Sequence, residues 1–414
     1  MKNIETKTID CCATPGLLSV EQAIEKILSP AVPIEQSETV DILDALNRVL
    51  AEDLQSTIDV PGYDNSAMDG YAVRSEDCQT SGSSLPVSQR IPAGQVGAPL
   101  QAGTAARIFT GAPVPEGADA VVMQELCQQE GDTVSINTVV KAGSNVRRAG
   151  EDIAKNNIVL KAGKRLRPQE LGLLASVGLS KFKVKQKLKV ATFFTGDEIV
   201  APGQPLAPGQ IYNSNRYTLR GLLQAMDCEI IDLGIVPDTL EATTTVLQQA
   251  ADKADLVITS GGVSVGEEDY VRIALEKLGE LSMWRIAMKP GKPVAFGKVA
   301  NAMFMGLPGN PVSVFVTYLL FARGLILKLQ GVEDYSVKRL TVIADFDWPA
   351  VKRQEYLRVK LSNNGTQTVA QLYPHQGSGV LSSASWADGL VEVAIGQNIS
   401  AGDTVQLLPF QGLI

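Results

Sequence analysis

The sequence predicts a multidomain chain of α/β plus β architecture. Three observations carry that prediction. From about residue 188 to 330, apolar strands alternate with amphipathic helices, the pattern of a layered domain with a mainly parallel sheet. From about 70 to 150, and again beyond about 335, short apolar runs are cut by Gly, Pro and Asp turns, the pattern of β-rich segments. Finally, 414 residues are long for one domain when a domain takes about 150.

Taken in order, the first dozen residues lack periodicity and read as a tail. "SVEQAIEKILSP" has helical spacing, with Ser19 placed to cap its start and Pro30 just past its end. "DILDALNRVLAED" repeats the helical pattern. "DGYAV", "AARIFT", "DAVVMQE" and "TVSINTVV" are short strands of a β-domain. "GEDIAKNNIVLKAGKRL" keeps strand-and-turn character, and "RPQELGLLASVGL" is a helix with Pro168 in its first turn. In "SKFKVKQKLKVATFF" lysines recur at every second position from Lys181 to Lys189, one face of a strand. A solvated face explains that row better than a ligand surface.

The alternation then begins. Strands "LKVATFF", "CEIIDLGIV", "ADLVITS" and "PVAFGKV" interleave with helices in "NRYTLRGLLQAMD", "LEATTTVLQQAADK", "DYVRIALEKLG" and "NPVSVFVTYLLFARGLILKL". The strands "KRLTVIADFDW", "EYLRVKLS", "TVAQLYP", "LVEVAIG" and "TVQLLPF" close the chain.

Composition excludes some functions. The net charge is −8, with 37 basic against 45 acidic residues, and broad nucleic-acid binding needs a basic footprint instead. Five cysteines, odd in number and without a C-x-x-C pair, argue against a disulfide scaffold or zinc site and for a reducing compartment. The polar N-terminus has no signal-peptide pattern and no run approaches a membrane span, so a cytoplasmic location without membrane partners is expected.

Ligands of open α/β sheets bind beyond the carboxyl ends of the strands. Three loops at such ends carry acids: Asp197 and Glu198 in "TGDE", Asp238 in "GIVPD", and Glu267 to Asp269 in "SGGVSVGEED". Acids converging on one edge would repel an anion unless a divalent cation intervened, and oxygen-ligated Mg²⁺ suits that task. Helix capping is the competing explanation of each acid alone. The glycines of "SGGVSVG" let backbone N–H groups approach phosphate, although glycine-rich βα turns are common. "MKPGKPVAFG" sets Lys289 and Lys292 around a stiff Pro-Gly turn, an oxyanion clamp or a surface turn. "GLPGNPVSV" presents Asn310 and Ser313 where a strand gives way to a helix. In the β-domain, Asp59, Asp64 and Asp69 are spaced by turn formers, and Arg147 and Arg148 adjoin Glu151 and Asp152. Turn building and surface pairing explain these equally well on spacing. The single histidine, His375, has no G-x-S-x-G elbow to serve, so a Ser-His-Asp triad is not expected.

The stretches "PGYDNSAMDGYAV", "TGAPVPEGADAVVMQE", "RRAGEDI", "TGDE", "GQIYNSN", "TSGGVSVGEEDY", "KPGKP", "GLPGNPVSV" and "HQGSG", in this order, resemble the MoeA-type molybdopterin molybdenumtransferases, a family shared with the gephyrin E domain. The resemblance runs from about residue 15 to the C-terminus. It implies four parts: an elongated domain I of residues 15–56 and 152–186, an inserted β-rich domain II of 57–151, a MogA-like α/β domain III of 187–335, and a C-terminal β-domain IV of 336–414. It also implies a homodimer. The implied reaction inserts molybdate into adenylylated molybdopterin, with Mg²⁺ assisting and AMP leaving. A MogA-type adenylyltransferase would act upstream, and molybdoenzyme maturation factors downstream. Matched by motif, the implied catalytic residues are Asp69, Thr110, Arg147, Asp152, Glu198 and Lys289. The implied substrate contacts are Gly261, Gly262, Ser264, Lys292, Pro293, Ser313, Arg353 and Ser378. Asp238 and Asp269 are the implied Mg²⁺ ligands. The chain departs from some members in having Arg285 for lysine, which keeps the charge but not the point-like donor. A gephyrin-type scaffold and a molybdopterin adenylyltransferase are the alternative functions. Against the first stands the lack of a long linker and fused second enzyme domain; against the second, the retention of the other three domains.

Overall fold

A computed structural model describes residues 17–262 and 270–413. These fall into two compact units. One is built from Thr39–Leu46 and Leu50–Val184; the other from the described residues of Met1–Glu38, Asn47–Val49 and Lys185–Ile414.

The first unit is centred on a six-stranded sheet in the order Ala120–Met123, Gly70–Val73, Ala105–Ile108, Ser83–Ile91, Thr133–Ile136 and Cys127–Glu130. All neighbours are antiparallel except Ser83–Ile91 against Ala105–Ile108. The β-rich reading of this region therefore holds. Tyr71, Val73, Val122, Val134 and Ile136 fill one apolar cluster, and Ala72, Ile91, Ile108 and Val121 another. A third cluster gathers Leu50, Leu54, Leu166, Leu174, Phe182 and Val184. Leu174 comes from the helix Pro168–Ser176, which opens with proline at its first turn. Glu170 folds back to accept from Arg167 N and Nε, both at 3.0 Å, and Nη2 at 2.6 Å. The Arg167 guanidinium, followed by its backbone N–H and nearby Lys164, holds the Glu170 carboxyl down at about 2 despite burial.

Two sequence expectations resolve differently. "DILDALNRVLAED" is not a helix: it forms a single 3₁₀ turn, Ile42–Asp44. Asp41 accepts from Leu43 N at 3.1 Å, and Asn47 takes a φ of 66°, which ends any helical run. Leu43, which a helix would have buried, is 88% exposed. The lysine row is not a single strand face. Lys181 and Lys183 point outward from the strand Lys181–Lys185, where Phe182 and Val184 point inward, and Lys183 pairs with Glu52 at 3.5 Å, a solvated face. Lys187 lies between strands, paired with Asp227 at 2.6 Å, and Lys189 opens the next strand.

The second unit holds two six-stranded sheets. The α/β sheet runs Glu229–Val236, Lys189–Thr195, Leu256–Ser260, Ala302–Leu307, Pro293–Val299, Gly279–Arg285. The first four strands are parallel, and the last two add antiparallel neighbours at one edge. Strands covered on both faces read as continuous apolar runs. Val190, Phe194, Ile258 and Met305 pack on one face, with Leu219 and Leu223 of the helix Ser214–Ala225. Ala191, Phe193, Val257 and Phe304 pack on the other, with Leu247 and Ala250 of Leu240–Lys253 and Leu275 of Tyr270–Leu278. Asn213 and Thr239 cap two of these helices by accepting from Arg216 N at 3.1 Å and Ala242 N at 3.3 Å. The apolar helix Pro311–Leu329 is 19 residues long, enough to cross a membrane by length and composition, but 83% of its apolar window is buried in the protein. It is a core helix.

The other sheet is a closed β-barrel. Gln354–Asn363, Thr368–Leu372, Leu340–Ala344, Thr404–Pro409 and Gly389–Val393 follow in order, and the last pairs back to the first. Val342, Leu357, Val359, Val391 and Leu407 fill it. Met288–Lys289 adds in parallel to Gln354–Glu355, which ties the "KPGKP" turn to the barrel.

Candidate active site

A cavity of about 860 Å³ opens in the second unit. Its floor lies at the carboxyl ends of three neighbouring parallel strands, through Thr195, Ser260 with Gly261, and Pro308 to Asn310. This is where an open α/β sheet binds its ligands. Gly261 and Gly262 both have positive φ, 92° and 63°. A Cβ on Gly262 would stand 2.7 Å from Val271 Cγ2 and 3.1 Å from Thr195 Oγ1, so this turn admits only glycine.

The remaining walls come from the "KPGKP" turn, the N-terminus of Pro311–Leu329, Arg353 of the barrel, and Gln376 to Gly379. Lys289 pairs with Glu355 at 3.2 Å, and Glu355 also accepts from Trp348 Nε1 at 3.1 Å. Lys292 and Arg353 line the cavity and form no ion pair among the described residues. Arg353 reaches only a backbone carbonyl, that of Met288, at 3.5 Å. Gly291 takes a φ of 102°, and a Cβ there would meet Thr317 Cγ2 at 2.4 Å. The turn that carries both lysines thus lies tight against the core helix. Ser313 sits in the first turn of that helix, 3% exposed. Ser378 reaches the same wall because its carbonyl accepts from Val312 N at 3.0 Å.

A buried arginine holds the Ser378 loop. Arg358, 1% exposed, donates to Ser383 Oγ at 3.1 Å, Tyr356 O at 3.2 Å and Gly377 O at 3.2 Å. Gln376 accepts from Arg358 N at 2.9 Å and donates to its carbonyl at 3.0 Å. Burial lowers the guanidinium to about 10, partly offset by Glu355. Sequence reasoning missed Arg358 because a strand arginine gives no signal of being buried.

Of the residues singled out from sequence, Glu198, Gly261, Lys289, Lys292, Pro293, Ser313, Arg353 and Ser378 line this one cavity. Gly262 adjoins it. Ser264 and Asp269 lie outside the described residues, so half of the expected Mg²⁺ pair is not placed. The other half, Asp238, follows the edge strand Glu229–Val236 and is not part of the cavity lining. Among the described residues, Glu198 is the carboxylate that lines it. Mg²⁺ is commonly held by one or two carboxylates plus substrate phosphates, so Glu198 is the described residue that fits such an ion. No cluster of three or more Asp, Glu, His or Cys suited to a metal occurs among the described residues. Arg285 ends its strand exposed and away from the lining, and His375 is exposed.

The remaining predicted residues belong to the first unit. Asp69 Oδ1 accepts from both Thr110 N and Thr110 Oγ1, each at 2.8 Å. Those bonds, backbone first, hold the Asp69 carboxyl below its usual range, with Arg107 adding a smaller pull. Arg107 donates to Gln124 Oε1 at 2.6 Å and lies over the Tyr71 and Phe109 rings. Arg147 is exposed on a short strand opposite Asn65. Asp152 is exposed, and its N–H donates to Val60 O at 3.0 Å. Sequence reasoning also passed over Thr195, Asn213 and Asn215. All three lie inside quoted motifs, "TGDE" and "GQIYNSN", but attention to charge selected their acidic neighbours.

A glycine turn at parallel strand ends, a cationic and hydroxyl wall, and a barrel closing the far side define an anion-handling α/β enzyme site. Comparison with known proteins gives the particular family. Residues 18–178 match the MoeA N-terminal region (domain I and II), 191–328 a probable molybdopterin binding domain, and 341–410 the MoeA C-terminal region (domain IV). A molybdopterin molybdenumtransferase of Haemophilus influenzae is 43% identical over 407 residues, 96% of this chain and 100% of that one. One of Nostoc sp. is 44% identical over 306 residues, 72% of this chain and 70% of that one. The solved MoeA molybdopterin biosynthesis protein of Pyrococcus horikoshii superposes with a TM-score of 0.81 at 30% identity, covering 94% of this chain and 99% of that one. The chain belongs to the MoeA family.

Proposed function

We propose that the chain is a molybdopterin molybdenumtransferase that inserts molybdate into adenylylated molybdopterin and releases AMP. The observation that carries this reading is the pair Lys292 and Arg353, cations that line the cavity and form no ion pair among the described residues. Such cations hold an oxyanion, and the hydroxyls of Ser313 and Ser378 on the same wall are placed to donate to its oxygens. The positive-φ turn at Gly261 and Gly262 suits the close approach of a phosphate. In the reaction water cleaves the phosphoanhydride bond and AMP leaves, while the two dithiolene thiols bind molybdenum and their protons depart with a displaced molybdate oxygen as water. Mg²⁺ would supply charge neutralisation at the pyrophosphate, with Glu198 of the cavity lining a residue that would hold it and Asp238 and Asp269 the ligands implied by family motif. Lys289, shared with Glu355, fixes the turn that aims Lys292.

The finer parts of the reading are a four-domain protomer with the bounds given above, a homodimer, and a cytoplasmic location. A MogA-type adenylyltransferase would supply the substrate and maturation factors would receive the product. The test uses purified protein with adenylylated molybdopterin, Mg²⁺ and molybdate. AMP release that requires molybdate, together with reconstitution of a molybdenum-free apoenzyme, is expected. Adenylylation of free molybdopterin from ATP, without molybdate-dependent AMP release, would replace the reading with that of an adenylyltransferase.

A further inference from the structure

Buried polar side chains in folded proteins nearly always find partners, and leaving one unpaired costs stability. Three exceptions meet in the cavity. Among the described residues, Thr195 Oγ1, Asn213 Nδ2 and Asn215 Oδ1 are buried without a hydrogen-bond partner, and all three residues line it. Thr195 is 6% exposed and Asn213 4%. Asn65 Oδ1, Thr243 Oγ1 and Gln330 Oε1, also buried without a partner among the described residues, lie apart from this cavity.

Each of the three is held in place by its other contacts. Asn213 Oδ1 is used as the helix cap to Arg216 N. Asn215 Nδ2 donates to Ser260 Oγ at 3.1 Å and Gly309 O at 2.7 Å. Thr195 ends a central strand with a parallel neighbour on each side, and itself pairs with Val236. The orientations are therefore fixed, and the free atoms are one amide donor, one amide acceptor and one hydroxyl.

That set does not suit an anion. Phosphate and molybdate oxygens offer acceptors, and Asn215 Oδ1 would face them lone pair to lone pair. A neutral group with both N–H donors and an acceptor suits it. The same wall carries Ile211 and Tyr212, 56% and 44% exposed. Tyr212 is anchored through its hydroxyl to Gln204 O at 3.0 Å, which fixes its ring. Apolar side chains beside a donor–acceptor edge describe a site for a flat heterocycle.

We propose that Thr195, Asn213 and Asn215 form an uncharged recognition wall that reads the hydrogen-bonding edge of the substrate's heterocycle, while Lys292 and Arg353 take the anions. This deepens the reading above and rests on it for the substrate's identity. Two parts of that substrate, its adenine and its pterin, share the chemistry.

The test measures binding of adenosine, 6-hydroxymethylpterin and molybdate to the full chain and to two variants. Asn213→Asp keeps the capping oxygen and turns the free donor into an acceptor. Thr195→Val removes only the unpaired hydroxyl, so its melting temperature is expected to hold or rise. Both variants should weaken one heterocycle by about 10-fold or more, with molybdate affinity changed less than about twofold. Loss of adenosine binding assigns the wall to adenine, and loss of pterin binding to the pterin. The proposal is overturned if the wild type binds neither heterocycle, if both variants bind them as the wild type does, or if heterocycle and molybdate affinity fall together with the melting temperature. Molybdate-dependent AMP release by the wild type is the control. If that fails while the binding shifts persist, the functional reading fails and the wall stands.

Discussion

The cavity of the second unit and the acid-rich turns of the first look alike in sequence, yet they are opposite in bonding. In the first unit the motif acids are consumed by their own turns. Asp59 accepts from Lys155 N at 2.7 Å, and Asp64 accepts from Ala149 N at 2.9 Å while pairing with Arg148. In the cavity Lys292 and Arg353 form no ion pair, and three buried polar atoms find no hydrogen-bond partner, among the described residues. Proteins tolerate such unpaired groups at functional sites and seldom elsewhere. The difference teaches that a motif residue earns a functional reading by what its bonds leave unused, not by its charge. Asp69 sits between the extremes. Both of its hydrogen bonds use Oδ1, so Oδ2 stays free of a bond.

The largest effect should come from the cavity. Lys292→Ala is expected to lower molybdate-dependent AMP release by about 10²–10³-fold, the cost of removing one preorganised oxyanion contact. Because no ion pair is broken, the melting temperature should stay within a few degrees. An equal loss of stability would erase the contrast with the turns. Asp69→Asn comes next. Its amide oxygen can keep both Thr110 bonds, so the fold should persist, while loss of the free carboxylate oxygen should cut activity by about 10²-fold. Asp64→Asn, at a fully bonded acid, should instead lose stability by about 1 kcal/mol and keep most activity. Should these two variants behave alike in paired kinetics and melting curves, the bonding criterion fails.

Gly291→Ala should have a middling effect. The added methyl meets Thr317 Cγ2, and the left-handed φ is strained for alanine. Displacing the lysine turn should reduce activity about 10-fold or more, since small misplacements of a binding group are costly. A crystal structure of the variant with an unmoved turn and full activity would show the close packing to be incidental.

How much of this was legible in the sequence differs between the regions for a physical reason. The α/β alternation was readable because strands such as Lys189–Thr195 are buried on both faces and leave unbroken apolar runs. The "DILDALNRVLAED" helix was misread because only part of its apolar set meets a core: Ala45 and Leu50 are buried while Leu43 and Leu46 are exposed, and Asp41 bonds its own turn. At the site, the lysines, serines and glycines were legible as turn and helix-start motifs. Thr195, Asn213 and Asn215 were not, because an unpaired polar atom is a property of three-dimensional surroundings. Asp238 is likewise absent from the cavity lining. It follows the edge strand Glu229–Val236 by two residues, and sequence order does not tell edge from centre.

Glu170 tests the turn side of the contrast by pH. Its folded carboxyl sits at about 2, below the ordinary value of 4.5. A depressed carboxylate contributes stability that is complete above the unfolded value and is lost as pH falls through the folded one. Denaturant midpoints of the wild type should therefore drop between about pH 5 and 2, and Glu170→Gln should flatten that part of the profile. At pH 7 the variant should be about 1–2 kcal/mol less stable, with activity unchanged where the fold persists. An unchanged acid limb in the variant would mean that the Arg167 contacts do not set this carboxyl.

The smallest effect is expected where sequence charge is densest. Lys181 and Lys183 alternate with Phe182 and Val184 on one strand, and only the apolar pair is buried. Lys183 has a carboxylate neighbour, Glu52, at 3.5 Å, and both side chains are about half exposed. Exposed pairs of this kind contribute about 0–1 kcal/mol. Lys183→Gln should leave molybdate affinity within about twofold and stability within about 0.5 kcal/mol. Lys292 carries the same charge, yet its removal is expected to cost two to three orders of magnitude in turnover. The two lysines differ only in what surrounds them. A loss of molybdate binding in Lys183→Gln would show that overall basic charge, not the unpaired cavity cations, recruits the anion.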